Sequence, residues 1–412
     1  MFKDILIQAW EAMVYNRRRT TITVVGMAWG IATVVLLLAY GAGFSRAIEA
    51  IFAEWGTSLI GAFPGRTSQQ AGGDKAGVKV QFTLDDVDLI ANSVPRLLHI
   101  TPMVQKDVPV QDDLHTFTWT VNGILPVGQD VMHLPTATGR FFNGAEEQER
   151  AHVAVIGSEA KTKLFSGEYP IGQPIRLNGI YFTVIGVLES KIQEGDSDSN
   201  RQVYIPFSTM SDIKDTKYLD GIWLNYTGDY EEVERNLRDT LAAAHNFRPG
   251  DHNAVFVANL MQQLSQFRIL SIALQVLLAL VGALTLGIAG IGLMNIMLVA
   301  VQQRTREIGI EKALGAQKRH ILLQFLAEAF VITGVGGALG IALAEVISIS
   351  IGRIPFYSTI AANAEKADIY LLISPTSVIV ATGILVVTGL VSGMIPAIRA
   401  ANLDPIEALR YE

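Results

Sequence analysis

The sequence predicts an α-helical membrane domain of four spans that carries an α+β extracytoplasmic domain of two lobes on a helical stalk. Half of the 412 residues are hydrophobic and only 17% are charged, whereas about a quarter of the residues in an average soluble protein carry a charge. Four apolar segments each exceed the roughly 18 residues that indicate a membrane span. Residues 45–266 hold 18 Lys and Arg against 28 Asp and Glu, while the rest of the chain holds 14 against 11. An acidic domain is therefore inserted into an apolar, mildly basic frame.

Several function classes are excluded by what the sequence lacks. There is no cysteine, which rules out disulfides, thiolate metal ligands and cysteine nucleophiles within the chain. The net charge of −7 argues against a nucleic-acid partner, because such a partner favours a basic surface. Neither a G-x-x-x-x-G-K-[ST] phosphate loop nor an H-E-x-x-H or G-x-S-x-G motif occurs. We therefore predict no catalytic, cofactor-binding or metal-binding residues, and we interpret the acidic stretch 194–198 as a hairpin loop rather than as a cation site.

The four spans follow from the apolar segments, and their short flanks orient them. The first span is placed within residues 17–44, the second within 259–302, the third within 321–352 and the fourth within 375–398. Positive charge is concentrated before the first span, in the 303–320 loop and after the fourth span. The positive-inside rule then places both termini and that loop in the cytoplasm. The large inserted domain and the short 353–374 loop are expected on the outer side of the membrane.

Two of the apolar helices are predicted to extend beyond the membrane as a stalk. The charge-free part of the second segment, residues 269–301, would form a helix about 50 Å long, against a hydrocarbon core of about 30 Å. Apolar residues at helical spacing also continue past the first span, from Ile48 to Leu59. We therefore predict a stalk helix over residues 45–63 that pairs with the beginning of the 259–302 helix. Strong tilt of the second helix with interfacial ends is the alternative.

Both ends of the chain are predicted to form helices at the cytoplasmic side. Residues 1–16 have an apolar face that includes Trp10, which is typical of a helix lying in the headgroup plane. A tail packed on a partner protein is the alternative. Asp404 followed by Pro405 is a helix start, so residues 399–412 are predicted to contain a C-terminal helix beside the cytoplasmic loop.

The extracytoplasmic domain, residues 64–258, shows strand patterns interleaved with few helices. Thr83 and Asp229 each stand where a side chain can cap a short helix. The stretch 64–81 is rich in Gly, Gln and Ser and is interpreted as a mobile loop. Strands are predicted at Phe117–Ile124, Val153–Ile156, Tyr181–Leu188, Val203–Phe207, Ile222–Tyr226 and Val255–Ala258. We expect two small lobes rather than one large sheet.

The 303–320 loop is the most informative part of the cytoplasmic side. A charged helix follows the second span, and Gly315 is predicted to break it before the chain re-enters the membrane. Ile308, Ala313 and Leu314 are expected to form a small apolar knob rimmed by charge. Such a knob on a short helix could pass force from a soluble partner into the membrane. An ordinary positive-inside hairpin is the alternative.

Two carboxylates, Glu328 and Glu345, lie within the third apolar segment. Ionisable residues at membrane depth are functional by default. Both lie near the ends of the segment, so we favour a structural explanation in which each reaches the interface or a Lys or Arg partner.

Ten segments spread along the chain carry a recognisable pattern. They are NIMLV at 295–299, RTREIGI at 304–310, KALGA at 312–316, QFLAEA at 324–329, PAIRAANLDPIEALR at 396–410, GRFF at 139–142, VAVIG at 153–157, PIGQPIRLNG at 170–179, FTVIGVLE at 182–189 and VYIPF at 203–207. Together these segments resemble those of the MacB/FtsX-type ABC transporter permeases. The resemblance covers nearly the whole chain in order and is more specific than any one motif.

The resemblance implies how the chain would be partnered. It implies a dimer of permease subunits, most simply a homodimer, in contact with membrane lipids and with an ABC ATPase that docks on the cytoplasmic loop. The residues that match the family's coupling segment are Arg306, Glu307, Ile308, Gly309, Ile310, Glu311, Lys312, Ala313, Leu314, Gly315 and Ala316. Because the sequence has no phosphate loop, the ATPase that uses ATP and Mg²⁺ is expected to be a separate subunit, and this chain to bind no cofactor. Glu311 and Gln303 depart from the commonest family pattern, which has a basic residue at the first position and an acidic one at the second.

The resemblance also implies a location and an activity. Members of this family lie in the bacterial cytoplasmic (inner) membrane with the large domain in the periplasm. ATP hydrolysis opens and closes the stalk and moves the outer lobes, which is called mechanotransmission. In export systems this motion works with a periplasmic adaptor and an outer-membrane duct. We expect efflux or export; the alternatives are an FtsX-like regulator of an external cell-wall hydrolase and a permease that extracts lipids or lipoproteins.

Overall fold

The computed structural model of the protein describes residues 17–54, 56, 58–70, 76–192, 198–361 and 364–409. They divide into two compact units. The membrane unit comprises residues 17–46, 269–354 and 368–409, and the inserted unit comprises residues 47–268 and 355–367. The predicted amphipathic helix at residues 1–16 and residues 194–197 of the acidic stretch lie outside the described residues.

The described α-helices comprise four long apolar ones and eight shorter ones, and most of the strands lie between the first and second long helices. The helices are α1 (Arg17–Ala53), α2 (Leu84–Ser93), α3 (Gly128–Val131), α4 (Gly144–Gln148), α5 (Ser158–Phe165), α6 (Phe207–Met210), α7 (Tyr230–Ala244), α8 (Leu260–Gln303), α9 (Thr305–Ala313), α10 (Lys318–Ile351), α11 (Pro375–Ala401) and α12 (Pro405–Leu409). The strands are β1 (Leu59–Pro64), β2 (Leu97–Gln111), β3 (Thr116–Ile124), β4 (Thr136–Gly139), β5 (Val153–Ile156), β6 (Pro174–Leu177), β7 (Ile180–Leu188), β8 (Val203–Pro206), β9 (Gly221–Tyr226), β10 (Val255–Asn259), β11 (Arg353–Ile354) and β12 (Ile369–Tyr370).

Four helices are long and apolar enough to cross a membrane, as the sequence predicts. They are α1, α8, α10 and α11, with candidate spans at Thr20–Ala53, Leu260–Gln303, Lys318–Ile351 and Pro375–Ala401. The 44 residues of α8 give it a length of about 66 Å, roughly twice the hydrocarbon thickness of a bilayer. The fourth span begins at a capped turn, because the Ser374 hydroxyl accepts a hydrogen bond from the Ser377 amide.

Small residues let the spans approach one another closely within the membrane unit. A Cβ atom built on Gly340 of α10 would overlap the Ile31 side chain and the Ala28 carbonyl group of α1. A Cβ atom on Gly337 would instead overlap Leu385 of α11. The third span is therefore packed between the first and the fourth, at distances that only glycine permits.

The predicted 353–374 loop contains more structure than a simple connection. In the membrane unit, β11 and β12 pair antiparallel, and Arg353 lies 3.5 Å from the buried carboxylate of Asp368. Residues 355–367 belong to the inserted unit, where Ala364 and Ala367 pack in one cluster with Ile51 and Ile192.

The inserted unit contains one sheet of ten strands in the order β10-β1-β9-β2-β3-β8-β5-β7-β4, with β6 paired to both β2 and β7. The prediction that no large sheet would form is therefore wrong. The reason is β2, a strand of 15 residues. Its first half pairs with β9, and its second half pairs with β3 and β6. One continuous strand thus joins β9 on one side of the sheet to β3 and β6 in the same sheet.

Most of the predicted elements of this unit are present. All six predicted strands are found, with β8 ending at Pro206 because the backbone turns into α6 at Phe207. The two predicted helix starts are confirmed. Thr83 and Asp86 form a reciprocal capping box at α2, and the Asp229 carboxylate accepts from the Glu231 amide at α7.

The predicted stalk helix over residues 45–63 is wrong in its last part. Helix α1 ends at Ala53, and Leu59 begins strand β1, which pairs antiparallel with both β9 and β10. Gly56 has a φ of +80°, a left-handed conformation that does not continue a helix. The backbone of Leu59–Pro64 is instead paired with strands on both sides, which satisfies its polar groups.

The predicted pairing of the two stalk helices is present in the inserted unit. The rings of Phe52 on α1 and Phe267 on α8 lie 5.5 Å apart. One turn away, Arg268 lies 3.7 Å from Glu49. The hydrophobic core of the unit lies where α2 and α7 pack on the sheet, with Ile90 and Leu237 both fully buried.

The described ends of the predicted 64–81 loop are fixed to the sheet region. The Asp251 carboxylate accepts from the Ser68 hydroxyl at 2.6 Å and from the amides of Ser68 and Gln69 at 2.7 and 2.9 Å. Across the loop, the Thr67 amide donates to the Val78 carbonyl group. Residues 71–75 lie outside the described residues.

Candidate functional site

The predicted coupling loop forms the short helix α9 between the second and third spans. Arg304 interrupts the helical backbone with φ −100° and ψ 13°, and Thr305 begins α9. The buried Thr305 hydroxyl donates to the Val301 carbonyl oxygen at 3.0 Å, and the Ile308 amide donates to the Arg304 carbonyl oxygen at 3.0 Å. These hydrogen bonds on both sides of the break hold the direction of α9 relative to the end of α8.

Gly315 ends α9, as predicted. Its φ of +101° lies in the left-handed region, which glycine adopts without strain. The Ala316 amide donates to the Glu311 carbonyl oxygen at 3.0 Å, and the Gly315 amide donates to the Lys312 carbonyl oxygen at 3.1 Å. This pair of bonds is a Schellman motif, which satisfies two carbonyl groups that a helix end leaves unpaired.

One face of α9 is buried among the spans. Thr305, Ile308 and Gly309 are buried, and Ile308 is only 3% exposed. Ile308 belongs to a hydrophobic cluster with members from every span, including Val24, Val301, Phe325 and Ala397. The prediction that Ile308 forms part of an exposed knob is therefore wrong. Positions 305, 308 and 309 share one helical face, and here that face points into the bundle.

The opposite face of α9 presents the apolar knob, which consists of Ile310, Ala313 and Leu314. Leu314 is 85% exposed and Ile310 is 45% exposed. These positions also share one face, so Ile310 takes the place that the sequence analysis gave to Ile308. The charged rim is exposed as predicted and consists of Arg306, Glu307 and Glu311. Leu314, Ile310 and Ala313 thus form a small exposed apolar patch with a charged rim.

Lys312 joins α9 to the C-terminal end of the fourth span. Its Nζ donates to the carbonyl oxygens of Ala401 at 2.7 Å and Leu403 at 2.6 Å. These groups lie where α11 ends, so they have no partner within the helix and carry its negative dipole end. Burial, together with the neighbouring Lys318, lowers the pKa of Lys312, and Asp404 opposes that shift. Lys312 is thus a cationic cap on the fourth span.

Arg304 joins the other end of α9 to the third span. Its Nε lies 3.1 Å from Glu307 Oε2, and its Nη1 lies 3.6 Å from Glu328 Oε2. The guanidinium group also lies over the Phe325 ring, 5.9 Å from its centre. The basic partner that the structural explanation of Glu328 predicted is therefore present, in the form of Arg304. Glu345 is exposed on α10, and its explanation stays a prediction.

The described part of the chain contains no group of three or more His, Asp or Glu side chains that could hold a metal ion. His245 is instead hydrogen-bonded through Nε2 to Asp86 Oδ1 at 2.8 Å. The arrangement around α9 places an exposed apolar tip, Leu314, on a helix whose other face is anchored among the spans.

Two protein-family models match the chain. The MacB-like periplasmic core domain matches residues 20–240, and the FtsX-like permease C-terminal model matches residues 279–405. The chain belongs to the MacB/FtsX-type family of ABC transporter permeases. In this MacB/FtsX-type permease, the C-terminal model includes α9, α10, α11 and the part of α8 from residue 279 onward, while the periplasmic model includes α1 from residue 20 onward and the inserted unit up to residue 240.

Individual relatives are similar along almost the whole chain. It is 34% identical over 414 residues to the macrolide export ATP-binding/permease protein MacB of Bdellovibrio bacteriovorus, covering 99% of this chain and 61% of that protein. It is 34% identical over 416 residues to the pyoverdine export ATP-binding/permease protein PvdT of Pseudomonas putida, covering 98% and 59%. The chain thus spans about three-fifths of the length of these relatives. The periplasmic region of MacB from Actinobacillus actinomycetemcomitans is similar at 21% identity and a TM-score of 0.43, covering 54% of this chain and 97% of that structure.

All of the predicted coupling residues, 306–316, lie on α9 and its C-terminal turn, but they do different things. The knob and the rim face outward, whereas Ile308 and Gly309 face the spans. Sequence reasoning missed the exposure of Ile310, because apolar residues lie on both faces of α9 and spacing alone does not show which face is buried. It also missed the contacts of Lys312 and Arg304, because these depend on how the spans align with one another.

Proposed function

We propose that this permease transmits the ATP-driven motion of an ABC ATPase to its inserted domain in order to drive export, the mechanism called mechanotransmission. The supporting observation is the contrast between the two faces of α9. Leu314 is 85% exposed, while Ile308, less than two turns away, is 3% exposed in a cluster shared by all spans. A partner that binds the knob therefore pulls on a rigid base rather than on a loose loop.

The ATPase would be supplied from outside these 412 residues, because they contain no phosphate loop. ATP and Mg²⁺ would bind to that ATPase and not to this chain. The knob calls for a partner surface with a small apolar pocket for Leu314, since desolvated apolar anchors supply much of the energy of an interface. The exposed Glu307 and Glu311 call for basic side chains beside that pocket.

The proposal places the permease in a bacterial inner membrane, with α9 in the cytoplasm and the inserted domain in the periplasm. The positive charge around α9 supports this orientation. A second copy of the chain would complete the membrane dimer, and an adaptor with an outer-membrane duct would receive the exported compound. Export is supported by relatives that are named for macrolide and pyoverdine export.

The test is the variant Leu314→Asp, with Leu114→Asp as its matched control. Leu114 lies outside α9, between β2 and β3, and is 86% exposed, as Leu314 is 85% exposed. Each permease is purified from native membranes in mild detergent, and the co-eluting proteins are identified by mass spectrometry. Loss of an anchor worth about 2 kcal/mol should lower recovery of the ATPase about 30-fold, whereas the control should recover it normally.

Equal recovery of the ATPase with both variants would contradict the proposed docking role of the knob. The other co-eluting proteins test the purpose of the motion. A periplasmic adaptor would support export. A cell-wall hydrolase or its activator in place of an adaptor would refute export and assign the permease to the regulatory role.

A further inference from the structure

Helix α8 and helix α1 enter the inserted unit in different ways. Strand β10 ends at Asn259 and α8 begins at the next residue, Leu260, so strand and helix are continuous. Helix α1 ends at Ala53 and β1 begins at Leu59, with the left-handed Gly56 between them. Among the described residues 47–54, none makes a side-chain hydrogen bond to a strand of the sheet.

Asn259 fixes the junction between β10 and α8. The residue is 1% exposed. Its Nδ2 donates to Glu234 Oε2 on α7 at 3.0 Å, and its Oδ1 accepts from the Gln262 amide at 3.3 Å. The second contact is an N-terminal cap of α8. The buried Asn259 side chain therefore hydrogen-bonds both to the first turn of α8 and to α7, which packs on the sheet.

Arg238 completes this connection at the other end of the strand. Glu234 Oε1 accepts from Arg238 Nε at 3.1 Å, and Arg238 Nη1 donates to the Val255 carbonyl oxygen at 3.1 Å. The two side chains, one helical turn apart, thus hold the first and last residues of β10. The Glu234 side chain is 14% exposed, and the Arg238 side chain is 11% exposed. Hydrogen bonds to charged groups shielded in this way contribute more than exposed ion pairs do.

We propose that Asn259, Glu234 and Arg238 are positioning residues that make α8 the helix that moves the inserted unit. A displacement of the outer end of α8 would then carry β10, α7 and the sheet with it as one body. In the same unit, Ile51 of α1 packs in an apolar cluster with Ile192, a contact without the buried hydrogen bonds of the Asn259 junction. The inference rests on the proposed mechanotransmission, because it specifies which helix delivers the motion.

The experiment measures a distance within the full chain in lipid nanodiscs. The chain has no cysteine, so spin labels can be attached at cysteines introduced for the exposed residues Asp239 on α7 and Gln266 on α8. Pulsed electron spin resonance then reports whether the two helices move together. The wild type should give one narrow distance. Asn259→Ala and Glu234→Gln should widen the distribution about twofold, as local opening of the junction would.

The matched control is Glu232→Gln on the same helix. Glu232 pairs with Arg96 at 2.9 Å, but the side chains of Glu232 and Arg96 are 46% and 54% exposed, and this pair is not part of the Asn259–Glu234–Arg238 connection. This variant should leave the distance distribution unchanged. Equal widening in the control, or a narrow distribution in Asn259→Ala and Glu234→Gln, would overturn the inference.

A pair of substitutions separates the hydrogen bond from general damage to the fold. Asn259→Asp alone keeps a good helix cap but sets one carboxylate against another, so it should widen the distribution. Combined with Glu234→Gln, it restores a donor and an acceptor with the roles reversed, and the narrow distribution should return. Failure of the double variant to narrow the distribution while its thermal unfolding matches the wild type would refute the role of this bond.

A second pair of labels keeps this inference distinct from the proposed function. Labels at Ala53 on α1 and Gln263 on α8 report the stalk spacing when the permease is purified with its ATPase and given ATP and vanadate. A wild-type spacing that ignores nucleotide would refute mechanotransmission. The connection through Asn259 is judged by the first label pair alone, which needs neither nucleotide nor ATPase.

Discussion

Replacing Lys312 with Met should loosen the C-terminal end of the fourth span. Met keeps most of the length and apolar surface of the side chain, but it cannot donate to the carbonyl oxygens of Ala401 and Leu403, which lie 2.7 and 2.6 Å from Nζ. A hydrogen bond from a charged group contributes about 1.5–3 kcal/mol, and a cation at a helix C-terminus adds about 0.3–1 kcal/mol. Lys312 is half-buried and water can reach the freed carbonyls, so we expect a loss of about 2 kcal/mol for the two bonds together.

Hydrogen exchange measured by mass spectrometry on the full chain in nanodiscs checks this value. A loss of 2 kcal/mol corresponds to about 30-fold faster exchange in a segment that opens locally, here residues 398–409. The matched control is Lys318→Met. Lys318 is exposed, and its Nζ lies 3.4 Å from Asn402 Oδ1, a contact too long to contribute more than a few tenths of a kcal/mol.

Whether Lys312 caps the fourth span is decided by the difference in exchange rate between the Lys312→Met and Lys318→Met variants. If Lys312→Met and Lys318→Met exchange at the same rate over residues 398–409, the carbonyl groups at the end of α11 are satisfied without Lys312. The reasoning that makes Lys312 a cap of the fourth span would then be refuted.

Two further predictions concern the end of α9 and the response of the inserted unit to acid. Gly315→Ala should destabilise the last turn of α9 by about 1–2 kcal/mol, because φ is +101° there and a Cβ atom disfavours this conformation; exchange over residues 311–316 should rise, while Gly250→Ala leaves it unchanged. Burial raises the pKa of Asp86, but hydrogen bonds from His245 and Thr83 outweigh burial and bring the pKa below the usual 3.8. A lowered folded-state pKa means that this stabilisation is present above the unfolded value and is lost as pH falls through the folded value. Asp86→Asn should therefore melt earlier than the wild type near pH 6 and lose that difference in strong acid, and a difference in melting temperature that is independent of pH would contradict the assignment.

The spans and most strands could be predicted because their physical signals are local. A continuous apolar run such as Val378–Ile395 has only one stable environment, and an alternating run such as Tyr181–Leu188 presents one face to a core. Strand β1 could not be predicted in this way. Leu59 continues the helical spacing of α1 and also begins a short apolar run, so it fits either structure. Its pairing with β9 and β10 decides the outcome, and that pairing is not visible in the local sequence.

In the candidate site too, some features could be predicted from the local sequence and others depend on how the spans pack. Gly315 could be assigned from its residue type, because a glycine after a charged helix is a common stop signal. The direction of α9 could not be assigned, since its apolar residues lie on both faces. Burial of Ile308 and exposure of Ile310 follow from where the other spans lie. Arg304 contacts a residue about 24 positions away, and Lys312 contacts residues about 90 positions away. Contacts over such separations cannot be predicted from the pattern of a single sequence.

Helix α9 is held at its two ends by different spans, and the two attachments are unequal. At its start, Arg304 reaches Glu328 of the third span at 3.6 Å and remains partly exposed, which is the geometry of a weak pair. Near its end, Lys312 makes two bonds of 2.7 and 2.6 Å to the end of the fourth span. Lys312 is also only two residues from Leu314, where the proposed partner would bind. Under the proposed mechanism, a load on Leu314 would reach the fourth span through the two bonds of Lys312, in addition to reaching the second and third spans through the covalent connections of α9 to α8 and α10.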